Sequence, residues 1–184
     1  MRFDASRWMV IDVESTCWER PEDKGAQESD IIEIGIAIVD LRKRELESTH
    51  QLYVQPVRST VSTFCTNLTG ITPEILQAQG QFPEVWPRVA ELVRDHNTGT
   101  WASWGDYDRN MFENTVNWWN EDWLLPRTHM NLKQLEATMR GRDRGVGQKR
   151  SVQAAGLTWE GRNHCGRDDA QMAARVLIAL WERR

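Results

Sequence analysis

Several absences narrow the field before any motif is read. The 184-residue chain holds no apolar run near 18 residues, so no membrane span is expected. Its start, Met1-Arg2-Phe3-Asp4-Ala5-Ser6-Arg7, lacks the apolar stretch of a signal peptide. Cysteine is scarce: Cys17, Cys65 and Cys165 are odd in number and lack metal-finger spacing. Reduced thiols in a cytoplasmic protein are therefore expected. There is neither an internal repeat nor a low-complexity tract. An excess of positive charge is also missing, since 23 Lys and Arg face 27 Asp and Glu for a net charge of −4. That excludes a histone-like binder that coats nucleic acid with basic residues.

What is present is an ordinary globular balance, with 40% apolar and 27% charged residues, so a largely disordered chain is excluded. The length fits a single domain, 1–184, with a core of its own. The charge is unevenly spread. Residues 1–125 carry 11 basic and 21 acidic residues, and residues 126–184 carry 12 basic and 6 acidic. The net charge hides a basic C-terminal third.

Arg7 to Glu14 reads as a strand, with the apolar run Trp8-Met9-Val10-Ile11 entering Asp12-Val13-Glu14. Asp30 to Asp40 is rich in isoleucine and too apolar for an exposed strand. Between them, charged residues with Pro21 and Gly25 read as a loop. Glu47 to Gln55, stopped by Pro56, reads as a third strand, and short turns make a meander the simplest topology. Helical patterns follow: one opened by Thr72-Pro73-Glu74, and one over Phe82 to Arg94 with Val85, Trp86, Val89, Leu92 and Val93 at helical spacing. Thr100 to Trp104 is a short buried strand. Helices then run from Gly105-Asp106 to about Trp119, from about Leu132 to Met139, and from near Asp168 to the C-terminus. Gly141, Gly145 and Gly147 mark a flexible basic loop.

Three carboxylate clusters stand out. Asp12 and Glu14 are two apart in an apolar strand, so both point to one face. Buried together they repel, and a hard divalent cation relieves that cost; solvated acids at a strand end are the plainer reading. Asp106 and Asp108 open a helix after Trp104-Gly105, where an N-cap is the ordinary role of an Asp. Last, His164 precedes Asp169 by five residues, with Gly166 between them to bend the chain. A histidine beside a carboxylate–metal cluster suits a general base, because it titrates near neutrality.

The ordered set Ile11-Asp12-Val13-Glu14, Trp104-Gly105-Asp106-Tyr107-Asp108 and His164-x-x-x-x-Asp169 resembles the DEDDh 3′–5′ exonucleases. A narrower resemblance is to the Eri-type branch, which includes histone-mRNA 3′-end exonucleases. It rests on Asp12-Val13-Glu14-Ser15-Thr16-Cys17-Trp18, Phe64-Cys65-x-x-Leu68-Thr69-Gly70-Ile71-Thr72 and Ser103-Trp104-Gly105-Asp106-Tyr107-Asp108. The likeness spans about Trp8 to Leu180. It implies an α/β, RNase H-like fold, a mixed five-stranded sheet flanked by helices. It further implies that Asp12, Glu14, Asp106 and Asp169 hold two Mg²⁺ or Mn²⁺ ions, with Asp12 shared between them, and that His164 takes a proton from the attacking water. The implied substrate is nucleic acid with a free 3′ end, RNA ahead of DNA, hydrolysed to nucleoside 5′-monophosphates. Many Eri-type members carry two consecutive histidines where this chain has Asn163-His164; the retained histidine is the one at the right distance from Asp169.

On the substrate side, the resemblance implies that Ser15, Thr16 and Glu14 meet the terminal 3′-hydroxyl and that Leu68 presses on the last base, with plain loop packing as the rival for Leu68. Ten tryptophans outnumber Tyr and Phe together, and aromatic faces can stack on bases. Trp8, Trp86, Trp101 and Trp181 fall on apolar stripes and read as core. Trp104, beside Asp106, is the best stacking candidate. Trp18 and the cluster Trp118, Trp119 and Trp123 read as packing, a surface platform or a homodimer patch. Arg140, Arg142, Arg144, Lys149 and Arg150 form either a solvated loop or a phosphate-gripping lid. Two other functions stay open, a DNA-directed exonuclease and a non-catalytic adaptor on the same fold.

Overall fold

The computed structural model describes residues 3–182. Met1 and Arg2, part of the start read as leaderless, and Arg183 and Arg184 lie outside the described residues. The strands are β1 (Asp4–Ser15), β2 (Ile31–Asp40), β3 (Glu45–Tyr53), β4 (Thr98–Ser103) and β5 (His129–Asn131). The helices are α1 (Pro21–Lys24), α2 (Thr63–Thr69), α3 (Pro73–Gln77), α4 (Phe82–Asp95), α5 (Tyr107–Trp119), α6 (Leu132–Met139), α7 (Gln148–Ala154) and α8 (Gly166–Trp181). Among the described residues no helix is long and apolar enough to cross a membrane.

The strands form one sheet in the order β3-β2-β1-β4-β5. The antiparallel meander β1-β2-β3 makes one side, and β4 and β5 run parallel to β1 on the other. Every residue of β2 is buried, the signature of a strand covered on both faces. The period of two in β1 sorts its side chains. Met9, Ile11 and Val13 join Trp86 and Val89 of α4 and Phe112 of α5 in the larger core. Trp8 and Val10 face the other way, onto Ala173 and Leu177 of α8 and Leu132 of α6. Asp12 and Glu14 continue this second stripe, so the acids point toward the N-terminal end of α8. In β2 the residues on the same face as Ala37 and Val39 are Gly35 and Glu33.

The tryptophan assignments separate cleanly. Trp8, Trp86 and Trp101 are buried, and Trp181 packs edge-on to Trp8 with ring centroids 6.3 Å apart. Trp119 and Trp123 pack against the larger core. Trp118 is exposed, with the Arg58 guanidinium 4.8 Å from its ring centroid. A basic loop was expected around Gly141 to Gly147, and α7 starts directly after it. Lys149 and Arg150 therefore sit on a helix.

Candidate active site

The site forms where β1 outruns β4. Their pairing ends at Val10 and Ala102, so the next amides of β1 on that side lack a strand partner. Asp108, in the first turn of α5, supplies one: its Oδ1 accepts from the Val13 amide at 2.9 Å. This buries Asp108 to 4% exposure beside Asp12. On the other side of β1, Glu14 lies directly across from Glu33 of β2, and like charges in that register repel.

The fourth acid arrives with α8. Gly35 and Gly166 let this helix end close on the sheet. A Cβ on Gly35 would fall 1.9 Å from the Gly166 carbonyl carbon, and one on Gly166 would fall 2.9 Å from the Asp12 carbonyl oxygen. Asp169, in the first turn of α8, is thereby buried against β1 and β2. Its Oδ2 accepts from the His164 amide at 3.1 Å, and its carbonyl accepts from Gln148 Nε2 at 2.6 Å. His164 has φ +60°, a left-handed conformation costly for a residue with a Cβ and common at functional loops.

The electrostatics record this crowding. Burial, then Asp108, Asp169, Glu14 and Glu33, hold the Asp12 carboxyl far above the usual carboxylate range. Burial raises Glu14 to about 8, with Asp169 and Glu33 adding to it. Burial raises Asp169 to about 7 against the opposing His164 amide, and Asp108 to about 6 against its bond to Val13. His164 is pushed below the ordinary imidazole value by partial burial, then by Lys149 and Arg162.

The donor set fits a divalent metal. Glu14, His164 and Asp169 each offer a ligand atom within 4.8 Å of the others. Asp169 Oδ1 is buried with no hydrogen-bond partner among the described residues, which is costly unless a cation meets it. Clustered carboxylate oxygens suit a hard cation.

Asp106 departs from the expected set. Its Oδ2 accepts from Asn131 Nδ2 at 2.9 Å, and its Oδ1 lies 3.4 Å from Arg109 Nη2 with 48% of the side chain exposed. It occupies the N-cap position of α5 and faces β5, whereas Asp108 reaches the acids. Two aspartates two residues apart at a helix start leave this choice open in sequence. Whether β1 has an unpaired amide waiting decides it, and that is a tertiary fact.

The substrate-side expectations divide. Ser15 Oγ lies 2.7 Å from the Tyr107 hydroxyl. Thr16 is an internal brace: its hydroxyl sits 2.7 Å from Ser59 Oγ and accepts from the Asp30 amide, and its own amide donates to Asp30. Leu68 is half-buried on α2, and its carbonyl accepts from Arg162 Nη2 at 3.3 Å, tying that segment to the histidine loop. Trp104 is half-buried, donates to the Val146 carbonyl at 3.2 Å and packs against two apolar clusters, which fix its ring in place. Arg142 pairs with the fully buried Glu136, as does Arg140, which removes both from a lid. Arg144 is exposed and has no acidic partner within 4.0 Å among the described residues. Lys149 and Arg150 do reach the site. With Gln148, Trp159, Asn163, His164 and Asp169 they line an open cleft of about 580 Å³.

Clustered carboxylates at the C-terminal end of the central strand, with a histidine on the adjoining loop, make a candidate metal centre. Residues 9–177 match the exonuclease family, and the chain belongs to it. It is 27% identical over 196 residues to human "3'-5' exoribonuclease 1", covering 93% of this chain and 51% of that protein. The chain thus spans about half the length of that relative. In structure it is similar to a full-length 3′-exonuclease at TM-score 0.86 and 26% identity, covering 97% of this chain and 83% of the other. It is equally similar in fold to the nuclease domain of 3'hExo, a DEDDh family member bound to rAMP. There the TM-score is 0.86 with 23% identity, and the coverage is 97% of this chain and 93% of that one. The fold is thus the RNase H-like fold of the DEDDh exonucleases.

Proposed function

We propose that this protein is a metal-dependent 3′–5′ exonuclease that removes nucleotides from the 3′ end of RNA. The observation carrying this reading is the convergence of Asp108, Asp169 and Glu14 on the buried Asp12, with the His164 ring and Glu14 within reach of Asp169. The names of the relatives, exoribonucleases, favour RNA.

These four acids would hold two Mg²⁺ or Mn²⁺ ions, with Asp108 in the place first expected for Asp106. When bound, the ions supply positive charge that acidifies a water and offsets charge building on the phosphate. The protein's own groups do the rest. His164, exposed on the adjoining loop, accepts the proton of the attacking water. Asp169 holds the His164 amide and so fixes where the imidazole stands. The water oxygen bonds to phosphorus as the bond to the preceding 3′-oxygen breaks. A nucleoside 5′-monophosphate leaves, and the shortened strand carries a new 3′-hydroxyl. Lys149 and Arg150 line the cleft beside His164 and bind phosphate oxygens there.

The test is degradation of matched, 5′-labelled RNA and DNA oligomers with Mg²⁺ or Mn²⁺. Stepwise shortening from the 3′ end of RNA, blocked by a 3′-phosphate and absent in Asp12→Ala, is the expected result. Preferential shortening of DNA would make it a DNA exonuclease. Binding without shortening would make it an adaptor.

A further inference from the structure

A fifth carboxylate lies in the site and has no part in the chemistry above. Glu33 is 1% exposed. It stands opposite Glu14 in the β1–β2 register and raises the pKa values of Asp12, Glu14 and Asp169. A residue that only filled space here would not be an acid. Its Oε1 accepts from the Arg167 amide at 2.9 Å and from Gln51 Nε2 of β3 at 2.9 Å, and the Cys165 thiol lies 3.8 Å away.

Arg167 is the second residue of α8, and the N-cap, Cys165, makes no side-chain cap bond. The first amides of a helix lack intrahelical partners. Here one is satisfied from a different element, by a strand carboxylate that also complements the positive end of the helix dipole. The close seating of Gly166 over Glu33 and the Asp12 carbonyl, with a built Cβ only 3.2 Å and 2.9 Å from them, leaves the helix end little room to find another acceptor.

We propose that Glu33 is a positioning residue: it caps α8 from β2 and thereby sets where Asp169 and the His164 loop stand relative to Asp12 and Glu14. The proposal rests on the exonuclease reading only for its catalytic consequence. Gln51 donates to the same carboxylate oxygen, so β3 takes part in the same support.

The experiment compares Glu33→Ala, Glu33→Gln and Gln51→Leu in the full chain, by three readouts: kcat and KM on a short RNA with Mg²⁺, Mn²⁺ affinity by titration calorimetry, and amide hydrogen exchange. Glu33→Ala should lower kcat about 10²-fold, the loss typical of a small misplacement of reacting groups. KM should change little, Mn²⁺ affinity should weaken, and exchange over residues 164–170 should accelerate. Glu33→Gln keeps an acceptor oxygen at the Oε1 position for both Arg167 and Gln51. It should restore slow exchange and most of kcat. Gln51→Leu should accelerate the same exchange to a smaller degree. Wild-type exchange over 164–170 in both Glu33→Ala and Gln51→Leu would overturn the proposal. So would a Glu33→Gln protein with slow exchange but a kcat as low as that of Glu33→Ala, since charge and not capping would then be what matters. If Glu33→Ala does not fold, the other two variants decide alone. If the wild-type protein shortens no oligomer, the exonuclease reading fails, while exchange and Mn²⁺ affinity still judge Glu33.

Discussion

The metal-free protein should lose stability as pH rises, and the size of the loss follows from its acids. Asp169 is lifted from 3.8 to about 7, Glu14 to about 8 and Asp108 to about 6, burial being the first cause each time. A carboxyl whose pKa is higher in the folded chain holds a proton that the unfolded chain has released. Stability is then greatest below the unfolded value and falls until pH passes the folded value. Taking Asp169 alone, the loss between pH 5 and pH 8.5 is about 3 kcal/mol. For a chain of this size each kcal/mol moves the melting temperature by roughly 2–4 °C, so a fall of roughly 6–12 °C is expected. The assay is thermal melting in EDTA across that range, repeated with excess Mg²⁺. A cation that replaces the protons should flatten the curve and raise it most at alkaline pH. Asp169→Asn should remove much of the slope in EDTA. A melting temperature in EDTA that is flat or rises from pH 5 to pH 8.5 would refute the reasoning, because the acids would then not be crowded as described.

Asp108→Asn should abolish Mg²⁺-dependent shortening of RNA, while Asp106→Asn leaves kcat within a few-fold of the parent; the reverse ranking would return the metal role to Asp106. His164→Ala should slow single-turnover cleavage by roughly 10²–10⁴-fold, and an unchanged rate would remove it as the base. Lys149→Ala should raise KM and flatten the salt dependence of binding with turnover on saturating short substrate nearly kept; an unaltered salt slope would free Lys149 of phosphate contact. Arg142→Ala should instead lower the melting temperature, because Glu136 is fully buried and would lose one of its two cations; a KM effect without destabilisation would restore Arg142 to the substrate side.

Much of this fold was legible in one dimension. The isoleucine run of β2 announced a strand buried on both faces, and the alternation Trp8, Val10, Asp12, Glu14 placed both acids on one face before any partner was known. The spacing of His164 and Asp169 joined them through the resemblance to the DEDDh exonucleases. The sequence was silent where tertiary contacts decide. Asp106 and Asp108 differ by which one finds an unpaired strand amide. Arg142 and Lys149 look alike in a basic stretch until Glu136 claims the first and the cleft receives the second. Trp104 looked free beside an acid, and the Val146 carbonyl with two apolar clusters engages it. Three-residue β5 is too short to carry a pattern of its own, and nothing in the sequence of β2 singles out Glu33. The Gly35–Gly166 contact that seats α8 above Glu33 joins residues 131 positions apart, beyond the reach of local periodicity.

The bond between the Val13 amide and Asp108 has a use of its own. An amide proton given to a carboxylate senses whether that carboxylate is ionised. The nitrogen-bound proton of Val13 is thus a native spectroscopic gauge, needing no added label. Its magnetic resonance position, followed against acidity or cation concentration, reads the charge on one acid in a crowded group whose members otherwise titrate together.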